Sequence, residues 1–324
     1  MKRLLKQLEN FYNISLDSKP QITLFNEGYM NNCYLINTPK QQLIMVIYNS
    51  NRYKTETDIN RLEEIYSLNL NLPIRKPIGY NNSKHLMKYT RKSGISNFVG
   101  LYNYLEGETL PWEGYTRRHL FALGEMHKQL HLSLSTQPPT KYIESWDQYI
   151  KRDSAKLISY FIKNSLSIER KVKISLDILG LKALTESFSH YRLAAQLTHM
   201  DFVRGNILFS NIKHKEKYEI TGILDFEKML IAPVEFDIAR TLAFLLVDCR
   251  FSSDEKIIEY YLKKGYGYQE KKNDRVIQKF LIYFWCRDLW KFLVSNPYES
   301  LADNFHYKAT VERLIASGLL RKLA

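Results

Sequence analysis

Between residues 199 and 225 the chain reads HMDFVRGNILFSNIKHKEKYEITGILD. His199 and Asp201 are two apart, so on an extended segment they face the same side. Asp201 leads into the irregular stretch FVRG, and Asn206 opens the apolar run Ile207-Leu208-Phe209. After the charged turn KHKEK a second apolar run, Ile220 to Leu224, ends in Asp225. A hairpin of this length returns Asp225 close to Asn206, so two carboxylates and one amide oxygen converge at one end. That set suits a hard, oxygen-loving cation such as Mg2+, which takes one or two protein carboxylates and completes its shell with water and phosphate oxygens. The remaining carboxylate, Asp201, can accept a proton from an attacking hydroxyl or orient it. Metal, positioning and base are the parts that phosphoryl transfer needs. A lone aspartate in a loop is ordinarily a turn or cap residue; the register of all four residues carries the reading.

The elements needed to position these groups are visible on both sides. Ile22 to Phe25, Cys33 to Ile36 and Leu43 to Tyr48 are short β-prone runs separated by NEGYMNN and NTPKQQ, which read as turns. Thr55 to Leu68 carries Ile59, Leu62, Ile65 and Tyr66 at helix spacing. Two further strands follow, about 85–89 and 98–105, joined by RKSGIS. After Glu106-Gly107-Glu108 helical periodicity dominates, over 117–132, 143–161, 168–193 and most of 254–323, interrupted by the strand–loop–strand island at 197–224. The expected fold class is α+β: a β-rich lobe with a leading helix (1–105) and a larger helical lobe (106–324), with an active site between them.

These segments carry a resemblance. HMDFVRGN is similar to the H-x-D-x-x-x-x-N catalytic loop of the aminoglycoside phosphotransferase and choline kinase superfamily, a branch of the two-lobed protein-kinase-like fold. LDFE resembles that family's metal-binding I-D-[FW]-E, and EFDIA a following D-x-A element. GYMNNCYLI resembles the nucleotide loop G-x-x-N-x-x-Y, NYLEGETL the hinge, and ALGEMHKQLH the helix after it. The tail helices add a weaker similarity to bacterial spore-coat kinase-like proteins. The resemblance implies a kinase that uses ATP (or GTP) and Mg2+. In it Asp201 is the catalytic base, Asn206 and Asp225 hold the metal, and His199 braces the loop from behind. Asp237 supports the loop by hydrogen bonding. Gly28 and Asn31 belong to the nucleotide loop, and the backbone from Asn103 to Leu105 faces adenine. Arg204 either touches phosphate or substrate or forms a structural salt bridge.

One position departs from the pattern. The third strand of this family carries a Lys or Arg that grips the nucleotide phosphates, and here that position falls on Val46. The helical glutamate that would pair with it is Glu63, ahead of Glu56 and Glu64. Lys88 on the fourth strand is a candidate replacement cation. The alternative to a kinase is a nucleotide-binding pseudokinase or scaffold.

Composition bounds the rest. Cys33, Cys249 and Cys286 are odd in number, far apart and without a CxxC, which argues against a disulfide framework or zinc site and fits a reducing cytoplasm. No apolar run approaches the roughly 20 residues of a membrane span, and the first residues read as an amphipathic helix with Leu4, Leu5, Leu8 and Phe11 on one face. His127 and His131, four apart, lack a third ligand in sequence and read as packing. The aromatic run from Tyr283 to Phe292 reads as core. The net charge is +13, from 47 Lys and Arg against 34 acids. Those cations are spread along the chain with no arginine-rich arm, which argues against nucleic acid. The basic balance also disfavours a polycationic aminoglycoside acceptor. The expected partner is a neutral or anionic small-molecule hydroxyl compound, or a peptide hydroxyl.

Overall fold

The computed structural model describes residues 1–16, 20–25, 31–53, 55–79, 84–91, 93–111, 114–138, 140–210, 218–249, 252–269 and 274–323. Gly28 and the KHKEK turn lie outside them. In chain order the elements are α1 (Lys2–Tyr12), β1 (Gln21–Phe25), β2 (Asn32–Asn37), β3 (Gln42–Ile47), α2 (Glu56–Tyr66), β4 (Leu86–Thr90), β5 (Ser96–Asn103), α3 (Arg117–Ser135), α4 (Trp146–Val172), β6 (Ile174–Leu176), α5 (Ile178–Ser187), β7 (Gln196–Thr198), β8 (Ile207–Phe209), β9 (Ile220–Ile223), β10 (Leu230–Ala232), α6 (Val234–Asp248), α7 (Asp254–Ile257), α8 (Asp274–Ser295), α9 (Phe305–Ala316) and β11 (Leu320–Lys322). The α7 turn runs on into a π-helical segment, Ile258–Tyr266.

The chain divides into two compact units. The first is Met1–Glu108 with Gln137–Ile143 and Ile207–Glu227. Its five-stranded antiparallel sheet has the order β1-β2-β3-β5-β4. Alternation along β3 sends Leu43, Met45 and Ile47 to one face, where they meet Leu4, Leu8 and Tyr12 of α1. Ile44, Val46 and Tyr48 go to the other, where they meet Leu62 of α2 with Leu86 and Tyr102. Helix α2 starts in a capping box, Thr55 with Asp58, which satisfies orphan N–H groups at its first turn. The buried hydroxyls of Tyr66 and Tyr102 each meet that of Tyr48 at 2.8 Å. In the same unit β8 pairs with β9 through Ile207↔Ile223 and Leu208↔Gly222. Gly107 has φ +135°, and a Cβ there would sit 2.3 Å from Thr221 Oγ1. Only glycine therefore lets Glu108 pair with Phe209 beside it.

The second unit is Thr109–Thr136, Glu144–Asn206 and Lys228–Ala324. Its core is built on α6, in which Phe236 to Ala243 are all buried, and on α8, whose Tyr283, Phe284, Trp285 and Cys286 are buried with Leu289. The aromatic run is core, as its composition indicates. Two details differ from the sequence expectation. Helix α4 is continuous through the polar stretch Asn164-Ser165, because buried Phe161 and Ile168 anchor both sides of it. The helix expected over 168–193 breaks at Lys173, which takes a left-handed conformation (φ 59°). The chain then forms β6, which pairs with the distant β11.

Candidate active site

In the second unit the segment after β7 is held by one buried carboxylate. The backbone N–H groups of His199 and Met200 donate to Asp237 Oδ2 and Oδ1 at 2.8 and 2.9 Å. Met200 adopts φ 64°, a conformation that costs a non-glycine residue about 1–3 kcal/mol and persists where surrounding structure enforces it. Asp237 enforces it here. Helix α3 supplies the rest of the brace. His131 Nε2 lies 3.1 Å from Asp237 Oδ2, and His127 Nε2 lies 3.4 Å from the same oxygen. The Nδ1 atoms of the two rings contact the hydroxyls of Tyr261 (2.7 Å) and Tyr266 (2.8 Å). Burial pushes the His127 imidazole down to about 4, so the ring is neutral near pH 7. Burial opposes ionisation of Asp237, but the two imidazoles outweigh it and hold the carboxyl well below its usual range. His127 and His131 are thus more than spacers: with Asp237 they could hold a metal ion, and as hydrogen-bonding groups they brace the loop. Their i, i+4 spacing was legible; the aspartate between them was not.

Beyond the brace the chain turns through Asp201, which is 5% exposed. Its backbone N–H donates to His199 Nδ1 at 3.2 Å. Asn206 Nδ2 donates both to the Asp201 carbonyl (2.9 Å) and to Asp201 Oδ2 (2.8 Å). The amide nitrogen is thereby engaged, and Oδ1 is the side chain's remaining polar atom. Lys228 Nζ reaches Asp201 Oδ2 at 2.7 Å. Burial raises the Asp201 pKa; Lys228, by charge and hydrogen bond, with Arg240 and His199 behind it, more than offsets this and leaves the carboxyl below its ordinary value. A buried, ionised carboxylate with one oxygen pinned is suited to receive a proton on the other. Lys228 carries no signal in sequence beyond its place three residues after Asp225.

Arg204 sits in the turn after Val203 and lines a cavity of about 510 Å3 in this unit, together with Arg240, Phe244, Asp248, Asp288, Lys291 and His306 among others. Asp288 is paired with Arg240 at 2.7 Å and Asp248 with His306. Lys291 has neither hydrogen bond nor ion pair among the described residues. Desolvation, with Arg287 and Arg240 nearby, pushes its ammonium down to about 8.

The other candidates lie in the first unit. Asp225 follows β9 with φ 58°, and its half-buried carboxylate makes no hydrogen bond or ion pair among the described residues. The neighbouring Glu227 is fully engaged: it accepts from Asn31 Nδ2 (3.0 Å) and from the Tyr53 hydroxyl, and pairs with Arg52 at 3.3 Å. Asn31 is thus bonded to protein. Asn103 ends β5, and its backbone N–H donates to the Lys76 carbonyl at 3.0 Å, so that group does not face outward for adenine. Leu105 lies beyond the end of β5, with its side chain against Gly222. Val46 is buried in the α2-side cluster. With no cation there Glu63 has no ion pair to form; its carboxylate instead accepts the backbone N–H groups of His85 (2.6 Å) and Leu86 (2.9 Å) at the start of β4. Lys88 is exposed on edge strand β4, with β5 between it and β3, so the sheet does not bring it beside Val46.

A catalytic-type loop braced by a buried helical aspartate, with a five-stranded sheet carrying α2 on one face, defines a protein-kinase-like α+β fold. The profile of the phosphotransferase enzyme family (APH) matches residues 21–270, and the chain belongs to that family. It is an enzyme of the kinase class. No match is found among curated protein sequences. Solved structures similar to it include an amicoumacin kinase in complex with AMP-PNP, Ca2+ and Ami (TM-score 0.69, 14% identity, 96% of this chain and 93% of that one). A microcompartment-associated aminopropanol kinase aligns with TM-score 0.65 at 15% identity over 99% of both chains. A spectinomycin phosphotransferase with ADP and spectinomycin aligns at 0.59 with 16% identity over 98% of both. At such identities the likeness is one of fold.

Proposed function

We propose that the chain is an ATP-dependent phosphotransferase that moves the γ-phosphoryl group to a hydroxyl of a small molecule, with Asp201 as base and with Asn206 and Asp225 as ligands of Mg2+. The observation that carries this is the double donation from Asn206 Nδ2 to Asp201. It ties the proposed base to the loop and leaves the amide oxygen as the side chain's remaining polar atom for the metal in this reading. Asp225, whose carboxylate makes no hydrogen bond or ion pair among the described residues and whose backbone is left-handed, is the second hard oxygen donor in this reading. Bound magnesium supplies neutralisation of phosphate charge and a template for in-line transfer; the chain's own residues hold the loop, keep Asp201 ionised and orient the acceptor hydroxyl.

The cavity beside Val203–Gly205 is the acceptor's place in this reading. Its volume of about 510 Å3 is that of a small-molecule pocket. Asp288 is neutralised by Arg240 and Asp248 is bonded to the His306 ring, while Lys291 forms no ion pair among the described residues, so a neutral or anionic hydroxyl compound fits better than a polycation. A nucleotide-binding pseudokinase is the second reading, favoured by Val46 alone; the full set of base and metal residues weighs against it.

The test is Mg·ATP binding and phosphoryl transfer to a panel of hydroxyl acceptors, using wild type, Asp201→Asn and Asp225→Asn. Asp201→Asn is expected to bind Mg·ATP and lose turnover, and Asp225→Asn to lose the magnesium dependence of binding. A wild-type protein that neither binds nor consumes nucleotide refutes the reading.

A further inference from the structure

The phosphate-gripping cation expected from the family resemblance is absent at Val46, and among the described residues of the first unit Arg75 is a cation placed to do its work. Val46 on β3 stands directly opposite Cys33 on β2, and such partners project from the same face of an antiparallel pair. The charge of Arg75 acts on the Cys33 thiol and favours its ionised form, against the larger opposing effect of burial. The guanidinium is therefore within electrostatic reach of the face from which a basic residue at position 46 would project.

The backbone around Arg75 is pinned on both sides. Ile223 donates its N–H to the Pro73 carbonyl at 2.8 Å, and Ile74 bridges Ile223 in parallel sense. This segment thus runs alongside β9 toward Asp225. On its other side the Asn103 N–H meets the Lys76 carbonyl at 3.0 Å and the Ile78 N–H meets the Leu101 carbonyl at 2.9 Å. Arg75 shares its surroundings with the metal-ligand candidate: Arg75 and Asp225 both act electrostatically on Cys33 and on Tyr66.

Three other described cations of the unit are less suited. Arg52 is paired with Glu227, Lys88 is on the edge strand, and Lys76 is exposed. Arg75 is half-buried and forms no ion pair among the described residues. Its planar fork matches two phosphate oxygens at once, a geometry lysine cannot offer.

We propose that Arg75, delivered from the segment after α2, grips the nucleotide phosphates in place of the basic side chain absent at Val46. This rests on the nucleotide reading above. It makes the loss at β3 a relocation of the charge and not a lesion.

The experiment measures binding of Mg·AMP-PNP, or of its guanosine counterpart if the wild type prefers it, and of the matching nucleoside, which lacks phosphates. The variants are Arg75→Met, Arg75→Lys and Arg75→Met/Val46→Lys, with thermal melts for all. Arg75→Met is expected to weaken nucleotide binding on the order of ten- to a hundredfold, the scale of one charge-assisted contact, and to leave nucleoside binding within about twofold. Arg75→Lys should lose less, and the double variant should recover most of the loss. Arg75→Met binding nucleotide as tightly as wild type overturns the proposal, as does equal loss of nucleotide and nucleoside, which marks a structural role. If Arg75→Met does not fold, the Arg75→Lys ratio of nucleotide to nucleoside affinity decides, an unchanged ratio and affinity counting against. A wild type that binds nucleoside and nucleotide equally, or neither, removes the phosphate site altogether, and the nucleotide reading with it.

Discussion

Lys228 Nζ lies 2.7 Å from Asp201 Oδ2, and Asn206 Nδ2 lies 2.8 Å from the same oxygen. Two donors on one oxygen leave the other oxygen of the carboxylate without a share in these contacts, and the lysine keeps the group ionised. Removing the lysine loosens the proposed base without removing it. Lys228→Met should lower kcat about tenfold to a hundredfold, the scale of one lost charge-assisted hydrogen bond, with apparent nucleotide affinity within about threefold. The Lys228 side chain is 44% exposed, so its contribution to stability is small and the melting temperature should barely move. Steady-state kinetics and a thermal melt check this together; an unchanged kcat would show that Asp201 does not need the lysine.

Asp237 is fully buried and accepts two backbone N–H groups and an imidazole. Truncating it leaves those donors unsatisfied in the core, and the cost of breaking such a buried network is about 3–5 kcal/mol. Asp237→Ala should therefore lose about that much in urea unfolding. Asp237→Asn, which keeps the shape, should lose less, yet still disturb the loop because an amide nitrogen must face a donor. A loss under about 1 kcal/mol in Asp237→Ala would mean that the brace does not hold the loop.

The same network shows what sequence could and could not reveal. The order of chemistry-bearing residues from His199 to Asp225 is local, so spacing alone exposed it. Strands β1 to β3 and helix α2 were legible from alternation and from the Thr55–Asp58 cap. Arg75 and Lys228 were invisible as candidates because their neighbours are set by tertiary pairing: Ile74 with Ile223, and Lys228 with Asp201 across 27 residues. The partners of Glu63 are likewise set by tertiary structure: its carboxylate accepts the backbone N–H groups of His85 and Leu86, some twenty residues on in the chain. The β6–β11 pair joins Leu176 to Leu320, a separation no local pattern reports.

Buried histidines should make the protein acid-sensitive above the carboxylate range. In the folded state burial lowers His127 to about 4, and His119, also depressed by burial, lies at about 4; unfolded, both titrate near 6.5. The unfolded chain therefore binds more protons between those values, and stability falls as pH drops from about 6.5 toward about 4. For His127 the full loss is about 3 kcal/mol as an order of magnitude. Chemical denaturation across this range should show the decline, and His127→Gln, which cannot take up the proton, should show a shallower one. An identical pH dependence in the variant would mean that His127 is already charged in the fold.

Two glycines set how closely α3 approaches the π-helical segment. A Cβ at Gly124 would fall 2.1 Å from the Tyr261 carbonyl oxygen and 2.6 Å from the Tyr266 nitrogen, and one at Gly265 would fall 2.5 Å from the Phe121 carbonyl oxygen. The obstructing atoms are backbone, so they cannot swing aside as a side chain would. The approach matters because the Tyr261 and Tyr266 hydroxyls of that segment hold His127 and His131, which in turn face Asp237. Gly124→Ala would ordinarily favour a helix by up to about 1 kcal/mol. Here overpacking should reverse the sign and cost about 1–3 kcal/mol, and the displaced tyrosines should carry the disturbance to the loop. The variant should thus lose activity at temperatures where it remains folded. A Gly124→Ala protein as stable as wild type would show that the helices can separate freely, and that the brace does not depend on their close approach.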